Sequence, residues 1–297
     1  MNIVKWLNKN CDSLIGKRVV ITGATGGLGR EICMQLACLG ADIILACRNR
    51  ELADNLSSEI KAKYPTIVVE FVPLDFSSLD SVNNCINNLK KYNGIDILIN
   101  NAGVYNVPIK ILDSGYNNVF QINFLYTYYL TRQLLSELSK RNNSICITLG
   151  SIAHNYCKLD ENDIDFSTRK KASQIYGNSK RFLMFSLYEL FKDSGVGLAI
   201  VHPGVTLTNM TNHYPKAINW LVKIGIKLFF PSTTSACRSI LYGTKYATPY
   251  MYWIGPRVFN VWGSPKMTSL KTCTMQELNK IRDIAEKLYS NIIEVNK

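Results

Sequence analysis

A β-branched run followed at once by a glycine-rich loop is the feature that most restricts the fold of this chain. Arg18-Val19-Val20-Ile21 has the composition of a buried strand, and Thr22-Gly23-Ala24-Thr25-Gly26-Gly27-Leu28-Gly29 follows it. Ile32, Leu36 and Leu39 then recur at helical spacing. This order is the context of a dinucleotide site, because the glycines admit a diphosphate that the helix N-terminus attracts. A glycine turn that binds no ligand is the alternative.

Downstream, Tyr176 and Lys180 lie four positions apart in Tyr176-Gly177-Asn178-Ser179-Lys180. Residues at this spacing share one face of a helix, so a phenol and an amine converge there. A nearby ammonium favours the phenolate and lowers the pKa of a tyrosine from its ordinary value near ~10. Tyr176 is therefore a candidate general acid and base near neutral pH. An exposed helix pair is the alternative, but the position of the pair after the glycine loop favours catalysis.

These two motifs together resemble the short-chain dehydrogenase/reductase family, and the resemblance covers nearly the whole chain. Further segments match the family's motifs in the same order, namely Ile99–Gly103, Gln121–Asn123, Ile147–His154 and Val201–Thr208. The set as a whole, including Ser151-Ile152-Ala153-His154, is most similar to the retinol-dehydrogenase-like branch. The resemblance implies a dinucleotide-dependent enzyme that acts on alcohol and carbonyl groups.

The resemblance also implies a catalytic set made up of Asn123, Ser151, Tyr176 and Lys180. In the reductive direction Tyr176 would protonate the carbonyl oxygen, and Ser151 would donate a hydrogen bond to it. Lys180 would lower the tyrosine pKa and bind the nicotinamide ribose, while Asn123 would hold a water that connects Lys180 to solvent. The cofactor-binding residues implied in the same way are Gly23, Thr25, Gly27, Leu28, Gly29, Arg30, Arg48, Asp75, Asn101, Ala102, Gly103, Tyr176, Lys180, Pro203, Gly204, Thr206 and Thr208.

One position departs from the family pattern, at the end of the predicted fifth strand. The family usually has two serines there, whereas this chain has Gly150 followed by Ser151. Ser151 aligns with the catalytic serine, so the chemistry is retained. Ser144 and Ser179 are weaker alternatives, because Ser144 opens the strand at its opposite end and Ser179 lies within the Tyr176 helix.

The second predicted strand determines the choice of cofactor. It ends in Cys47-Arg48, without the carboxylate that would bind an adenosine 2′-hydroxyl, and Asp42 lies at its opposite end. Arg48 and Arg30 are both placed to pair with a 2′-phosphate, so the sequence favours NADP over NAD. Ordinary surface charge is the alternative for the two arginines. By resemblance, Asp75 contacts the adenine.

Apolar strand-like runs alternate with amphipathic helical segments, which is typical of a parallel sheet covered on both faces. We therefore predict one α/β domain over 1–297, a Rossmann-type doubly wound parallel sheet of about seven strands with helices on both faces. Candidate strands lie near 17–22, 42–47, 67–73, 95–100, 144–150, 196–202 and 250–254. Candidate helices lie near 27–39, 50–63, 78–92, 116–140, 173–193, 233–246 and 275–290.

An insertion near 205–232 follows the sixth predicted strand, where the family varies its substrate-binding region. Within 215–230, Lys216, Lys223 and Lys227 form a narrow polar stripe on an otherwise mainly apolar helix. This helix is too short and too charged to span a bilayer. It could form a lid over an apolar pocket, lie in a membrane interface or simply pack on the fold. We favour the lid, which indicates a lipophilic substrate.

Composition limits the partners and cofactors. The formal net charge of +12 suggests a nucleic-acid or membrane surface, yet the densest basic run, Arg169-Lys170-Lys171, is short. We therefore predict no nucleic-acid partner and a small apolar molecule as substrate.

The nine cysteines include no Cys-x-x-Cys pair, so free thiols are predicted. The three histidines lack metal-ligand spacing, so no metal is predicted. The acid-rich segment 160–165 lacks the glycine and glutamate of a calcium loop and is predicted to be solvated.

The first seven residues lack the apolar core and cleavage site of a signal peptide. We predict a cytoplasmic protein, with peripheral membrane contact as the less favoured alternative and a homo-oligomer compatible with the sequence.

The function of the protein is predicted to be NADP-dependent interconversion of an alcohol and a carbonyl on a lipophilic substrate, retinoid-like, steroid-like or another apolar carbonyl compound. The alternatives are a non-catalytic dinucleotide sensor or scaffold, which the complete catalytic set argues against, and a sugar-nucleotide epimerase or dehydratase. Those enzymes typically carry Thr-Gly-x-x-Gly-x-x-Gly on a longer chain.

Overall fold

The computed structural model describes residues 2–204, 232–248 and 251–295. These residues contain one eight-stranded sheet with the spatial order β3-β2-β1-β4-β5-β6-β7-β8. The strands are β1 Arg18–Thr22, β2 Asp42–Cys47, β3 Val69–Pro73, β4 Ile97–Asn100, β5 Ile145–Leu149, β6 Gly197–Val201, β7 Tyr252–Val258 and β8 Trp262–Ser269. The α-helices are α1 Ile3–Asn10, α2 Gly27–Cys38, α3 Arg50–Lys63, α4 Leu79–Lys90, α5 Asn118–Phe120, α6 Tyr126–Gln133, α7 Leu135–Ser139, α8 Ala172–Phe191, α9 Thr233–Gly243 and α10 Met275–Val295.

The first seven strands are parallel, and the order of connection reverses at β1. In register, Ile21 of β1 lies between Leu45 of β2 and Ile99 of β4. The carboxyl ends of β1 and β4 therefore meet at the point where the chain switches from one half of the sheet to the other. Open α/β sheets bind ligands in the crevice at such a switch point. The predicted α/β Rossmann-type fold is confirmed.

The two faces of the sheet carry separate hydrophobic cores, which explains why the central strands are apolar at nearly every position. Val20 of β1 packs in the core beneath α4, α6, α8 and α10. Val19 and Ile21 point to the opposite face and pack in the core beneath α1, α2, α3 and α9. Successive side chains of a strand alternate between faces, so both cores draw on the same short run.

The eighth strand and the first helix are absent from the sequence prediction. β8 pairs antiparallel with β7, with Trp253 opposite Thr268, and most of its side chains are exposed at the edge of the sheet. Its polar run with Pro265 carries no alternating apolar pattern, because an edge strand needs none. At the other terminus, the Asn2 side chain accepts a 3.1 Å hydrogen bond from the Val4 amide and caps α1, which buries Trp6.

The single helix predicted over 116–140 is interrupted by a π-helical turn, Gln121–Leu125, between α5 and α6. The turn is wider than an α-helix, and the Thr127 hydroxyl donates a 2.8 Å hydrogen bond to the Ile122 carbonyl at this point. Single π-turns inside helices occur frequently at functional sites. This one contains Asn123.

The acid-rich segment 160–165 is only in part the predicted solvated loop, because Glu161 and Asn162 are exposed but Asp163 and Asp165 are buried. The Asp165 carboxylate accepts a 2.8 Å hydrogen bond from the Asn117 backbone amide, and the Asn117 side chain donates to the Asp165 carbonyl at 2.6 Å. Asp163 is buried as well and lies 3.5 Å from Arg169 Nε. Backbone amides and a cation thus replace water around these two carboxylates, and Asp165 packs against the start of α5.

The predicted insertion near 205–232 lies, apart from Ser232, outside the described residues, and so do Thr206, Thr208 and the lid predicted over 215–230. No helix in the described ranges is both long enough and apolar enough to cross a membrane. Across the same ranges, no group of three or more His, Cys, Asp or Glu residues is arranged to hold a metal ion. All nine cysteines are free thiols, as predicted.

Candidate active site

The glycine loop after β1 is hydrogen-bonded to the residues that follow β4. The Thr22 hydroxyl accepts hydrogen bonds of 3.1 Å and 3.0 Å from the backbone amides of Asn101 and Ala102. In return, the Asn101 side chain donates to the carbonyl oxygens of Thr22 at 2.9 Å and Gly23 at 3.1 Å. These contacts hold the two loops together at the switch point of the sheet.

A cavity of about 840 Å³ opens at this edge of the sheet, within the ~300–1,000 Å³ range of ordinary ligand pockets. Most of the predicted site residues line it. They are Gly23, Thr25, Gly27, Leu28, Gly29, Arg48, Asp75, Asn101, Ala102, Gly103, Ser151, Tyr176, Lys180, Pro203 and Gly204. The structure therefore brings the predicted cofactor loop and three of the four predicted catalytic residues into one space.

The chemistry of the lining residues fits a dinucleotide. Gly26 occupies the N-cap position of α2 and has no side chain to satisfy the first amides of the helix. Those amides and the positive end of the helix dipole favour a phosphate at this position. The same cavity is also lined by Asp75 and by Tyr176.

The two arginines predicted to select NADP have different surroundings. Arg48 follows β2 directly, is exposed and lines the cavity. Arg30 lies outside the cavity lining, and its guanidinium forms an ion pair with Glu59 of α3 beside a second cavity of about 400 Å³. Asp42 lies at the amino end of β2, as predicted, where its carboxylate accepts a 2.9 Å hydrogen bond from the Val68 amide. Arg48 is thus the cation at the end of β2 that faces the cavity.

Ser151 and Tyr176 meet although they come from different elements. Ser151 follows β5 and is the N-cap of a 3₁₀ turn, Ile152–Tyr156, where its hydroxyl accepts a 3.2 Å hydrogen bond from the Ala153 amide. Tyr176 lies near the start of α8 and lines the same cavity as Ser151, whose side chain interacts with the phenol. Burial raises the pKa of Tyr176 to about 12, although the Ser151 hydrogen bond acts in the opposite direction. This net change is opposite to the predicted lowering by Lys180.

Lys180 is buried one turn after Tyr176 on α8. Its Nζ donates a 2.8 Å hydrogen bond to the carbonyl oxygen of Leu149, the last residue of β5, and lies 5.8 Å from the centre of the Tyr176 ring. Burial lowers the pKa of Lys180 to about 8, because an ammonium is disfavoured away from water. Lys180 therefore still carries a positive charge at neutral pH but loses it within the mildly alkaline range.

Asn123 lies next to this group without lining the cavity. Its Oδ1 accepts a 2.7 Å hydrogen bond from the Val104 amide, and its Nδ2 donates to the Val104 carbonyl at 2.9 Å and to the Ser179 hydroxyl at 3.1 Å. The Ser179 hydroxyl donates in turn to the Tyr176 carbonyl at 2.8 Å. Ser179 thus has a structural role within α8, and Ser144 is buried at the amino end of β5, so neither rivals Ser151.

The sequence profile of the short chain dehydrogenases matches residues 17–219 of this chain, a span that includes the glycine loop, Ser151, Tyr176 and Lys180. The chain belongs to the short-chain dehydrogenase family. The resemblance found in its motifs, including the likeness to the retinol-dehydrogenase branch, is therefore confirmed.

Two curated relatives and one solved structure illustrate the similarity. Human retinol dehydrogenase 13 is 34% identical over 203 residues, which cover 67% of this chain and 61% of the relative. Retinol dehydrogenase 12 of Mus musculus is 34% identical over 232 residues, 76% of this chain and 72% of that protein. The crystal structure of an uncharacterized protein from Mycobacterium paratuberculosis has the same fold, with a TM-score of 0.75, 24% identity and coverage of 95% and 96% of the two chains.

The structure accounts for the position at which this short-chain dehydrogenase departs from the family's serine pair. A Cβ atom on Gly150 would lie 2.8 Å from the Met184 sulfur and 3.3 Å from both Ile200 and Trp253. The space that a first serine would need is thus occupied by side chains of α8, β6 and β7. At this pair of positions, the serine that lines the cavity is thus Ser151.

Several residues of this site carry no signal in the sequence. Gly177 lets α8 approach the 3₁₀ turn, because a Cβ there would lie 2.3 Å from the Ala153 carbonyl oxygen. Tyr105 packs edge-on against Tyr176 with 5.1 Å between ring centres, and the exposed Tyr156 lines the cavity mouth. Their roles follow from contacts between segments far apart in the chain, which spacing and composition do not encode.

Proposed function

We propose that this short-chain dehydrogenase is an NADP-dependent oxidoreductase that interconverts an alcohol and a carbonyl group on an apolar substrate. The observation that carries the proposal is the convergence of Ser151, Tyr176 and Lys180 on the cavity that also contains the glycine loop. A hydrogen-bond donor, a proton donor and a buried ammonium thus lie beside a cradle for a dinucleotide. This combination suits hydride transfer coupled to proton transfer.

In the reductive direction, NADPH supplies the hydride when it is bound. Tyr176 donates its proton from Oη to the carbonyl oxygen, and Ser151 Oγ donates a hydrogen bond to the same oxygen, which stabilises the charge that develops there. The raised pKa of Tyr176 keeps the phenol protonated at neutral pH, as a proton donor requires. The Lys180 ammonium favours the phenolate that remains. Asn123 would hold a water beside Lys180, a role that rests on the family resemblance.

Arg48 is the residue that supports NADP as the cofactor. It lines the cavity at the end of β2, where a dinucleotide in this fold places its adenosine ribose. A guanidinium can bind a 2′-phosphate through two parallel hydrogen bonds. Arg30 would have to exchange its ion pair with Glu59 for the same contact, so we assign the selection to Arg48. Asp75 and the segments Asn101–Gly103 and Pro203–Gly204 are assigned to the remainder of the cofactor.

The lining beyond Tyr176 supports an apolar substrate. Val104, Tyr105, Ile152, Ala153 and Tyr156 surround this end of the cavity. They offer aromatic and aliphatic surface, so a carbonyl compound would be held by burial of its apolar part while Ser151 and Tyr176 orient its oxygen. The retinol dehydrogenases among the relatives bear names consistent with such a substrate. The lid over 215–230, a cytoplasmic location and the absence of a nucleic-acid partner remain predictions.

The direct test is a panel of carbonyl compounds assayed by loss of NADPH absorbance. We expect retinal, a steroid ketone and a long-chain aldehyde to be reduced with higher kcat/KM than small polar carbonyls. The matched variant Tyr176→Phe keeps the ring packing but lacks the transferable proton, so turnover should fall roughly 10²–10⁴-fold with little change in NADPH affinity. Turnover that persists in Tyr176→Phe would contradict the mechanism. Tight NADPH binding without turnover of any panel member would favour the sensor instead.

A further inference from the structure

Arg181 is a buried cation immediately after Lys180 that does not line the cavity. Only 3% of it is exposed. Its guanidinium donates to both carboxylate oxygens of Glu277 on α10, from Nε at 2.7 Å and from Nη2 at 2.6 Å. It also donates to two backbone carbonyls, that of Thr272 at 2.7 Å and that of His154 at 3.3 Å. One side chain of α8 thus joins the C-terminal helix to the turn that begins with Ser151.

Glu277 is a carboxylate at neutral pH in this arrangement. Burial acts to raise the pKa of Glu277, but the hydrogen bonds from Arg181 outweigh it and lower that pKa below its ordinary value. Glu277 Oε1 also accepts a 3.1 Å hydrogen bond from the Leu159 amide. The pair therefore holds the chain at two places, at the His154 carbonyl within the 3₁₀ turn and at the Leu159 amide after it.

His154 fixes the other end of the same turn. Its Nδ1 contacts the Ser151 carbonyl oxygen, which can only accept, so Nδ1 carries the proton. The Nε2 atom is then the acceptor, and the Thr272 hydroxyl donates to it at 2.9 Å. Burial lowers the pKa of His154, which keeps the ring neutral and preserves this tautomer. The backbone of the residue that bears the reactive hydroxyl is thus held from the C-terminal side of the molecule.

Stability alone is a weak reason for this network. Replacing a buried ion pair by apolar side chains of similar size is often neutral or stabilising, because the desolvation of two charges offsets their attraction. One end of the network is Arg181, the residue after Lys180 on α8. The other end is the contact of His154 with the Ser151 carbonyl. A hydroxyl that must donate to a substrate oxygen loses much of its effect when it is misplaced by ~1 Å.

We propose that His154, Arg181 and Glu277 are positioning residues that orient Ser151 toward the substrate. The inference rests on the proposed function, since it assigns the network to the same reaction. None of the three lines the cavity, so each would act through Ser151. Segment 271–277 and α10 thereby become part of the active-site architecture.

Variants of His154 separate positioning from packing. In His154→Asn, the side-chain amide can replace Nδ1–H as donor to the Ser151 carbonyl, whereas in His154→Gln the amide lies near the Nε2 position. We expect His154→Asn to keep kcat within a few-fold of wild type, and His154→Gln and His154→Leu to lower it by roughly 10–100-fold. The Kd of NADPH and the Tm should be nearly the same in all three. If kcat instead followed Tm across the series, the histidine would be a packing residue and the inference would be overturned.

The ion pair is tested with Arg181→Met/Glu277→Leu, which fills the space without charge. We expect the Tm to stay close to that of wild type while kcat falls and amide exchange in residues 151–157 becomes faster. The control is Lys280→Ala/Glu161→Ala, which removes an exposed ion pair between α10 and the segment after the 3₁₀ turn. This control should leave both kcat and amide exchange in residues 151–157 unchanged.

Hydrogen exchange also keeps the inference distinct from the proposed function. If the wild-type protein reduces no carbonyl, the proposed function fails, while exchange in residues 151–157 still decides the positioning role. Unchanged exchange in Arg181→Met/Glu277→Leu overturns the inference whatever the activity. Should that double variant not fold, Glu277→Gln, which retains two hydrogen-bonding atoms, serves for the same comparison.

Discussion

The ammonium of Lys180 donates a 2.8 Å hydrogen bond to the carbonyl oxygen of Leu149. This contact joins α8 to the end of β5, two residues before Ser151, and it places a positive charge where little water reaches. Burying a charge is unfavourable unless other groups compensate. The site therefore combines a chemically useful cation with a local loss of stability, which leads to the first prediction.

We expect Lys180→Met to raise the free energy of unfolding at neutral pH while it abolishes turnover. Burial lowers the pKa of Lys180 from 10.5 to about 8, which corresponds to an unfavourable contribution on the order of 1–3 kcal/mol once the lost hydrogen bond is allowed for. The unfolded state binds this proton more tightly than the folded state, so wild-type stability rises as the pH increases from about 8 toward 10.5.

The difference between variant and wild type should consequently shrink at alkaline pH. Urea unfolding at neutral pH and at a pH approaching 10.5 measures it. Lys192→Met is the control, because Lys192 lies at the end of the same helix in an ion pair with Glu189 and is partly exposed. It should shift stability by at most ~1 kcal/mol. A Lys180→Met protein that is less stable than wild type at both pH values contradicts the argument.

The parts of this site that follow from local sequence were predicted with their correct boundaries. β1, β2 and α3 end within a residue or two of the predicted limits, because β-branched runs and helical spacing are local signals. Ser151, Tyr176 and Lys180 were placed by motif, and the structure brings them together. The net pKa of Tyr176 was predicted in the wrong direction, because burial depends on residues such as Tyr105 that arrive from another loop.

Other features depend on packing between distant segments and are therefore hidden in the sequence. β8 is stabilised by pairing with β7 and shows no apolar pattern of its own. The composition of the acid-rich segment predicts a solvated loop, yet Asp165 is buried because Asn117 supplies its hydrogen-bond partners. Arg181 and Glu277 lie 96 positions apart, and neither carries a motif.

The second prediction concerns the pH dependence of carbonyl reduction. The pKa of Tyr176, about 12, keeps the proton donor in place through the alkaline range, whereas Lys180 loses its charge near a pKa of about 8. We expect kcat/KM to decline as the pH rises through this value, because the neutral amine no longer favours the phenolate. In Lys180→Arg the guanidinium stays protonated, so activity should be lower but without that break. If kcat/KM of Lys180→Arg declined at the same pH, the decline would belong to the titration of another group.

Cofactor selection supplies the third prediction. Arg48→Asp places a negative charge beside the expected 2′-phosphate, so NADPH affinity should fall roughly 10–100-fold or more while NADH affinity changes little. Arg50→Asp is a close control, because Arg50 is exposed, lies 3.8 Å from Asp54 and stands outside the cavity lining. Fluorescence titration of both cofactors against both variants measures the effect. Wild-type protein that binds NADH more tightly than NADPH would refute the assignment.

The fourth prediction concerns Gly150, where the family usually has a serine. Gly150→Ser adds a Cβ that meets the Met184 sulfur at 2.8 Å, and overpacking of this kind typically lowers stability by ~1–3 kcal/mol. The obstacle is a flexible side chain, so Gly150→Ser/Met184→Ala should recover part of the loss beyond the effect of Met184→Ala alone. Thermal unfolding of the two single variants and the double variant gives the coupling free energy between the two substitutions. Strict additivity of the two substitutions would show that Met184 is not what excludes the serine.

Gly177 supplies the contrasting case, because its nearest neighbour is backbone. In Gly177→Ala the new Cβ would lie 2.3 Å from the Ala153 carbonyl oxygen and 2.8 Å from the Cys157 sulfur. At an unobstructed helix position the same change would stabilise the helix by up to ~1 kcal/mol. Here α8 must move away from the 3₁₀ turn, which separates Tyr176 from Ser151. We expect kcat to fall at least 10-fold, since positioning at this scale governs proton transfer.

Trimming Cys157 should not restore the activity of Gly177→Ala, because the carbonyl oxygen remains in place. Gly177→Ala/Cys157→Ala is therefore expected to behave like the single variant in kcat. Recovery in the double variant would mean that the thiol, and not the backbone of the serine turn, sets the distance between α8 and Ser151. Because a main-chain oxygen cannot be removed by substitution, the separation of Tyr176 from Ser151 depends on the absence of a side chain at position 177, next to the proposed proton donor.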